Sequence, residues 1–231
     1  MMTQGEDSMT SKLLLQAIGK YVLGLLLFGV LLFVPAGTVF YPNGWLLMAV
    51  LFIPMLIAGI ILIFKNPSLL KKRLNVKEKE KEQKSVVVCS GVMFLAAFIV
   101  AGLNFRFQWL LLPNVAVIVG TVFFLLAYAM YAEVLRENTY LSRTVEVQEN
   151  QKVIDTGLYG IVRHPMYSAT LVLFLSMGII LGSLFSFGIL LFYIPIIAKR
   201  MKNEEAVLEE GLEGYKEYKT KVKYKVIPYI W

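Results

Sequence analysis

The chain has 231 residues, 58% of them hydrophobic and 13% aromatic, with mean hydropathy +0.66 and a formal net charge of +7. An apolar excess of that size argues against an ordinary soluble domain and for a membrane protein. One histidine and one cysteine rule out an intrachain disulfide and a thiolate metal cluster, and no basic stretch accompanies a nucleic-acid-reading module.

Residues 1–11 are polar and acidic, unlike the basic start of a secretory signal. No A-x-A cleavage site follows the first apolar run, so that run is expected to be retained. A helix needs roughly 20 apolar residues to cross the hydrocarbon, because every backbone group must be satisfied internally. Four runs meet this: Leu13 to Val34, Trp45 to Phe64, Val86 to Phe105 and Trp109 to Tyr131. Gly24, Gly29 and Gly59 within them are expected to allow close helix packing. Cys89 is expected to be a small lipid-facing or packing residue. Between the second and third runs, VKEKEKEQK (76–84) alternates charge without apolar periodicity and reads as a solvated connector.

A fifth apolar stretch, Tyr167 to Ala198, is too long for one ordinary crossing. GSLFSFG at its middle offers Gly182, Ser183 and Gly188 for a turn, so two short helices forming a hairpin are expected. Charge supports this. Lys and Arg number 8 in 65–84, 4 in 132–166 and 8 in 199–231, against 0 in 35–44 and 1 in 104–108. With the basic segments in the cytoplasm, the four crossings alternate, and the fifth stretch must enter and return. The fold class is therefore all-α and polytopic: four transmembrane helices plus a C-terminal helical hairpin, with a cytoplasmic site. The chain divides into 1–131, the N-terminal crossings, and 132–231, the linker, hairpin and tail.

After Tyr131 the composition changes. AEVLRENTYLSRTVEVQENQKVIDTGLYGIVRHP carries charges, turn residues and an alternating piece, T-V-E-V-Q (144–148). A residue before proline avoids the helical region, so His164 is expected to be extended and Pro165 to open a helix. That helix presents unpaired N–H groups and a positive dipole end at the membrane surface, which suit an anionic group. The plainer reading makes Arg163 and His164 interfacial anchors. In the tail, Arg200 and Glu204 are four apart and share a helix face where the hairpin leaves the membrane. Glu205, Leu208, Leu212, Tyr215 and Tyr218 continue a stripe, whose plain reading is an amphipathic interfacial helix.

Taken together, VQ (147–148), KVIDTGLYGIVRHPMY (152–167), EEAVL (204–208) and YKEY (215–218) resemble the isoprenylcysteine carboxyl methyltransferase family. That family stands with the phospholipid N-methyltransferases among integral-membrane methyltransferases. The resemblance covers roughly residues 130 to 230. It implies S-adenosylmethionine as cofactor, held by Gln148, Gln151, Lys152, Val153, Ile154, Tyr159, His164, Pro165, Met166, Tyr167 and Glu204. Arg200 matches the substrate-facing position, and Arg200 and Glu204 form the implied catalytic pair. Two positions depart from the family pattern: Gln151 stands where a histidine is usual, and Ala169 where a glycine is.

The implied acceptor is a lipid or prenylated molecule in the bilayer, methylated at a carboxylate. A carboxylate is already ionised and needs no general base, and Arg200 can hold it in a bidentate pair. An amine acceptor would need Glu204, Glu205 or Tyr167 to take a proton. No metal is required. Three other readings stand beside this one: a phospholipid amine N-methyltransferase, a membrane NADPH-dependent reductase of sterol-reductase type, and a small scaffold whose polar motifs only set topology. The expected location is the cytoplasmic membrane of a prokaryote or the endoplasmic reticulum of a eukaryote.

Overall fold

The computed structural model describes residues 4–74, 81–141 and 147–231. Its helices are α1 (Gln4–Ala36), α2 (Pro42–Lys65), α3 (Pro67–Leu74), α4 (Lys81–Phe107), α5 (Asn114–Glu137), α6 (Pro165–Ile180), α7 (Leu184–Leu190), α8 (Tyr193–Gly211) and α9 (Tyr215–Lys221). A single 3-10 turn spans Gly157–Gly160. Among the described residues there is no strand, and Leu111 and Ser183 form an isolated antiparallel bridge. Five helical runs are long and apolar enough to cross a membrane, namely the apolar parts of α1, α2, α4 and α5 and the combined α7–α8 run; α6 is shorter. The protein is a polytopic all-α membrane protein.

The outer faces of these helices are apolar and exposed, as at Leu23, Ile53, Val88 and Phe123. In lipid such faces carry no penalty, so the helices need not be amphipathic. Cys89 lies exposed on this surface of α4. Inside, α4 packs against α1, α7 and α8, while α5 runs along α6. The turn of α2 before Pro54 is braced by two phenols: Tyr21 donates to the Phe52 carbonyl at 3.1 Å and Tyr128 to the Leu51 carbonyl at 3.0 Å.

Three details differ from the sequence expectations. The fourth crossing begins at Asn114, five residues after Trp109. Asn104, fully buried, accepts from the Leu110 N–H at 3.1 Å and donates to the Leu110 carbonyl at 3.2 Å, which folds the chain back before Pro113 restarts it. The connector 65–84 contains α3, whose Leu69 and Leu70 are buried, and Asn66 caps it through the Leu69 N–H at 3.1 Å. Of VKEKEKEQK, residues 81–84 form the first turn of α4, and 76–80 lie outside the described residues, as do 144–146 of T-V-E-V-Q.

The close approaches do not use the glycines singled out above. A Cβ at Gly59 would meet nothing within 4 Å, and at Gly29 only Phe33 of its own helix at 4.0 Å; Gly24 would be in ordinary contact with Phe52 at 3.4 Å. Tight crossings are at Gly102, where a Cβ would lie 2.7 Å from the Leu32 carbonyl, Gly120, 2.8 Å from the Ile179 side chain, and Gly178, 2.6 Å from the Phe187 backbone. The hairpin turns at Leu181–Ser183 with Gly182 at φ +66°, a conformation open to glycine. Gly188 lies inside α7, and the return arm breaks again at Leu191 and Phe192 before α8.

The hairpin spans the bundle. Its turn meets the connections at the far end: Leu112 N–H donates to the Gly182 carbonyl at 2.9 Å and the Tyr41 hydroxyl to the Leu181 carbonyl at 2.6 Å. The 16 residues of α6 cover about 24 Å at 1.5 Å each. Its N-terminus therefore emerges at the opposite end, beside α3 and the C-terminus of α5. Here Arg73 lies over the Tyr131 ring at 5.4 Å.

Candidate functional site

The Arg-His-Pro threshold folds as the local chemistry requires. His164 sits at φ −126°, ψ 61° before Pro165, which takes the first helical position of α6. Its neighbours are not lipid. Arg163 and His164 are 7% and 5% exposed, and both bind the carboxylate of Glu205 on α8. Arg163 Nε donates to Oε1 at 2.9 Å, and His164 Nε2 donates to the same oxygen at 3.1 Å. Lys219 and Lys225 approach the other oxygen at 3.5 and 3.3 Å. The anion at this threshold is the chain's own Glu205. This corrects the reading of Arg163 and His164 as interfacial anchors.

The tail completes the enclosure. Arg163 Nη1 donates to the carbonyls of Val222 and Lys223, both at 2.8 Å. The N–H groups of Arg163 and His164 donate to the carbonyls of Tyr224 and Lys225 at 2.9 and 2.8 Å. Ser168 adds a bond to the Val226 carbonyl at 2.6 Å. The stripe from Leu208 to Tyr218 is also reassigned. The helix ends at Gly211, and Gly214 at φ +80° swings α9 back. Leu212, Tyr215, Tyr218 and Val222 then form a small core with Val147, Val153 and Leu208. The stripe faces the linker, not the bilayer surface.

Between linker, α6, α8 and α9 lies a cleft. Its walls include Gln151, Lys152, Val153, Ile154, Tyr159, His164, Met166, Tyr167, Arg200 and Glu204, ten of the residues anticipated from sequence. Gln148 and Pro165 do not line it. Gln148 supports the wall instead: its side chain donates to the Tyr140 carbonyl, and its N–H donates to Gln151 Oε1 at 2.9 Å. Pro165 sets the helix start. The cleft also takes in Asn138, Tyr140, Leu141, Arg163, Leu208, Leu212, Tyr215 and Tyr218. The tyrosines of α9 were visible as the stripe; nothing in the sequence signals Asn138 or Leu141.

Arg200 and Glu204 are joined through a third residue. Arg200 Nε donates to the Tyr167 hydroxyl at 2.9 Å, and that hydroxyl donates to Glu204 Oε2 at 2.6 Å. An α6 phenol thus ties the two α8 side chains into one polar unit on the cleft wall. Asn138 donates to the Tyr159 hydroxyl at 2.9 Å, and the Tyr218 hydroxyl donates to the Tyr159 carbonyl at 2.8 Å. Burial pushes the Tyr159 and Tyr218 phenols well above their ordinary range, so both stay neutral at physiological pH.

Residues 114–213, from the start of α5 to just past α8, match the family model described as phospholipid methyltransferase. This agrees with the family resemblance carried by the linker and tail motifs, and it points to a membrane methyltransferase. A curated relative, a Delta(14)-sterol reductase of Mus musculus, is 26% identical over 91 residues. That alignment covers 38% of this chain and 22% of the reductase, so the chain matches about a fifth of that relative's length.

Proposed function

We propose that this membrane protein is a methyltransferase that uses S-adenosylmethionine in the cleft and methylates a lipid or prenylated acceptor at a carboxylate. The observation that carries the reading is the character of the wall: Tyr140, Tyr159, Tyr167, Tyr215 and Tyr218 together with the Glu204 carboxylate. Aromatic faces and a carboxylate suit a cationic ligand with an apolar body, which describes a sulfonium nucleoside. They suit a dinucleotide poorly. Of the cleft cations, Arg163 is bound to Glu205 and two carbonyls, which leaves Arg200 and Lys152 to meet several phosphates.

When bound, the cofactor would supply an electrophilic methyl group for the acceptor oxygen, with a neutral thioether as the leaving group. The protein's task is then proximity and orientation. Gln151 to Ile154, Tyr159, His164 and Met166 shape the receiving wall, with Glu204 as its anion. Gln148 and Pro165 act behind it, by fixing the Tyr140 carbonyl and the start of α6. Arg200 lies where α8 leaves its apolar first turns, Tyr193 to Ala198, and is placed to meet a carboxylate arriving from the bilayer. Tyr167 holds Arg200 and Glu204 in mutual register. With the basic segments inside by the positive-inside rule, the cleft opens to the cytoplasm.

An amine acceptor would require a base, and Glu205 is poorly suited, being enclosed by Arg163, His164, Lys219 and Lys225. The similarity to a sterol reductase supports a second reading, NADPH in the same cleft. Calorimetric titration of the detergent-solubilised protein with S-adenosylhomocysteine and with NADPH tests both. Saturable binding of S-adenosylhomocysteine alone is expected; binding of NADPH alone refutes the proposal. Labelled methyl transfer into membrane extract, followed by base treatment, then tests the ester, because a methyl ester releases its label and a methylamine does not.

A further inference from the structure

Five tyrosines line the cleft, and four have hydroxyl partners. Tyr140 donates to the Asn150 carbonyl at 3.1 Å, Tyr159 accepts from Asn138, Tyr167 donates to Glu204 and Tyr218 donates to the Tyr159 carbonyl. Tyr215 differs. It is 4% exposed, and its buried hydroxyl has no hydrogen-bond partner among the described residues. Buried hydroxyls are rarely left unpaired, because the lost hydration is not returned. The position is built: Gly214 in the left-handed conformation turns α9 back, and the Tyr215 ring packs 5.7 Å from that of Tyr218.

The surroundings say what the hydroxyl would meet. After burial itself, the Glu205 and Glu204 carboxylates are the largest influences raising the Tyr215 phenol above its ordinary range, so a neutral phenol faces two anions. Glu205 is already enclosed by Arg163, His164, Lys219 and Lys225. Glu204 has only Oε2 engaged, by Tyr167; Oε1 takes no hydrogen bond among the described residues. Such a corner repels phosphate and accepts a compact cation that carries several N–H donors.

We propose that the Tyr215 hydroxyl and the Glu204 carboxylate together hold the primary ammonium of the methyl donor's amino-acid end. The phenol oxygen accepts one N–H, the carboxylate accepts another, and the phenol proton serves the carboxylate of that same amino-acid end. This rests on the reading of the cleft as an S-adenosylmethionine site.

Tyr215→Phe removes only the hydroxyl. Calorimetry on the solubilised full chain would use S-adenosylhomocysteine, 5′-methylthioadenosine (which lacks the amino-acid end) and NADPH, beside the melting temperature of the ligand-free protein. The variant should bind S-adenosylhomocysteine at least about tenfold more weakly, because both of the phenol's hydrogen bonds to the charged amino-acid end are lost. Methylthioadenosine affinity should not change. The ligand-free protein should melt no lower than wild type, because no native hydrogen bond is lost. Unchanged S-adenosylhomocysteine affinity overturns the proposal, as does an equal loss for methylthioadenosine, which would put the phenol on the nucleoside. A wild-type protein that binds NADPH and not S-adenosylhomocysteine overturns the underlying reading and this proposal with it.

Discussion

Glu205→Gln tests the buried ion cluster, and the neighbouring Glu204 supplies the control. The Glu205 side chain is 5% exposed and faces Arg163, His164, Lys225 and Lys219 at 2.9, 3.1, 3.3 and 3.5 Å. Glutamine keeps the shape and one acceptor oxygen but removes the charge. Neutralising one member of a buried pair costs about 3–5 kcal/mol when the other is left uncompensated. Arg163 would retain the Val222 and Lys223 carbonyls, and the two lysines are about a third exposed, so the low end applies. A loss of roughly 3 kcal/mol corresponds to about 6–12 °C in a protein of this length, on the scaling of soluble domains. Glu204 is half-buried and holds only the Tyr167 hydroxyl, so Glu204→Gln should stay within about 1 kcal/mol of wild-type stability. It should instead weaken S-adenosylhomocysteine binding. Thermal unfolding and calorimetric titration of both solubilised variants provide the readouts. Equal melting temperatures for the two would refute the assignment of Glu205 as structural and Glu204 as ligand-facing.

Arg200→Ala should impair methyl transfer while S-adenosylhomocysteine affinity stays near wild type, and Arg200→Lys should rescue transfer only in part, because the planar fork is lost; matching losses of affinity would move Arg200 to the cofactor. His164→Ala removes a cleft wall and one Glu205 partner together, so both binding and melting temperature should fall; a change in neither would leave the histidine without a role. In a Cys89→Ser background, cysteines at Ser68 and Lys223 should label from one side of the membrane and a cysteine at Val39 from the other; labelling of 39 and 223 from the same side would break the hairpin topology. Gly178→Ala puts a methyl 2.6 Å from the Phe187 backbone and should destabilise by about 1–3 kcal/mol in thermal unfolding.

The crossings were legible because bilayer thickness imposes a length and an apolar composition that a sequence cannot disguise. Their ends were not. Asn104 overrides the apolar signal of Trp109 to Leu112 through a pair of hydrogen bonds, and no hydropathy window registers two hydrogen bonds. The hairpin was legible from charge; its second break at Leu191–Phe192 was missed, although Pro195 in the first turn of α8 has no N–H for the Leu191 carbonyl and favours a helix start just before it. Glu205 shows the same limit in the cleft. The family resemblance singled out Glu204 and left Glu205 in the tail stripe or as one possible base; the turn of α8 sends the first to the cleft and the second to Arg163.

The placement of Arg200 follows from one property of α8. The helix runs unbroken from Tyr193 to Gly211, and its sequence changes from YIPIIA to KRMKNEEAVLEEG without a turn between. A rigid rod that crosses from apolar to charged surroundings can hold one side chain at the boundary and another a single turn deeper in water. Arg200 and Glu204 have that spacing, and Tyr167, from the first turn of α6, fixes their relation from the first arm of the hairpin. A loop at this position would let the two drift, and a cleft built only of tail residues would stand clear of the bilayer. On the proposed reading, the hairpin brings a water-borne ligand and a membrane-dissolved acceptor against the same two helices, with one phenol setting the register of Arg200 and Glu204.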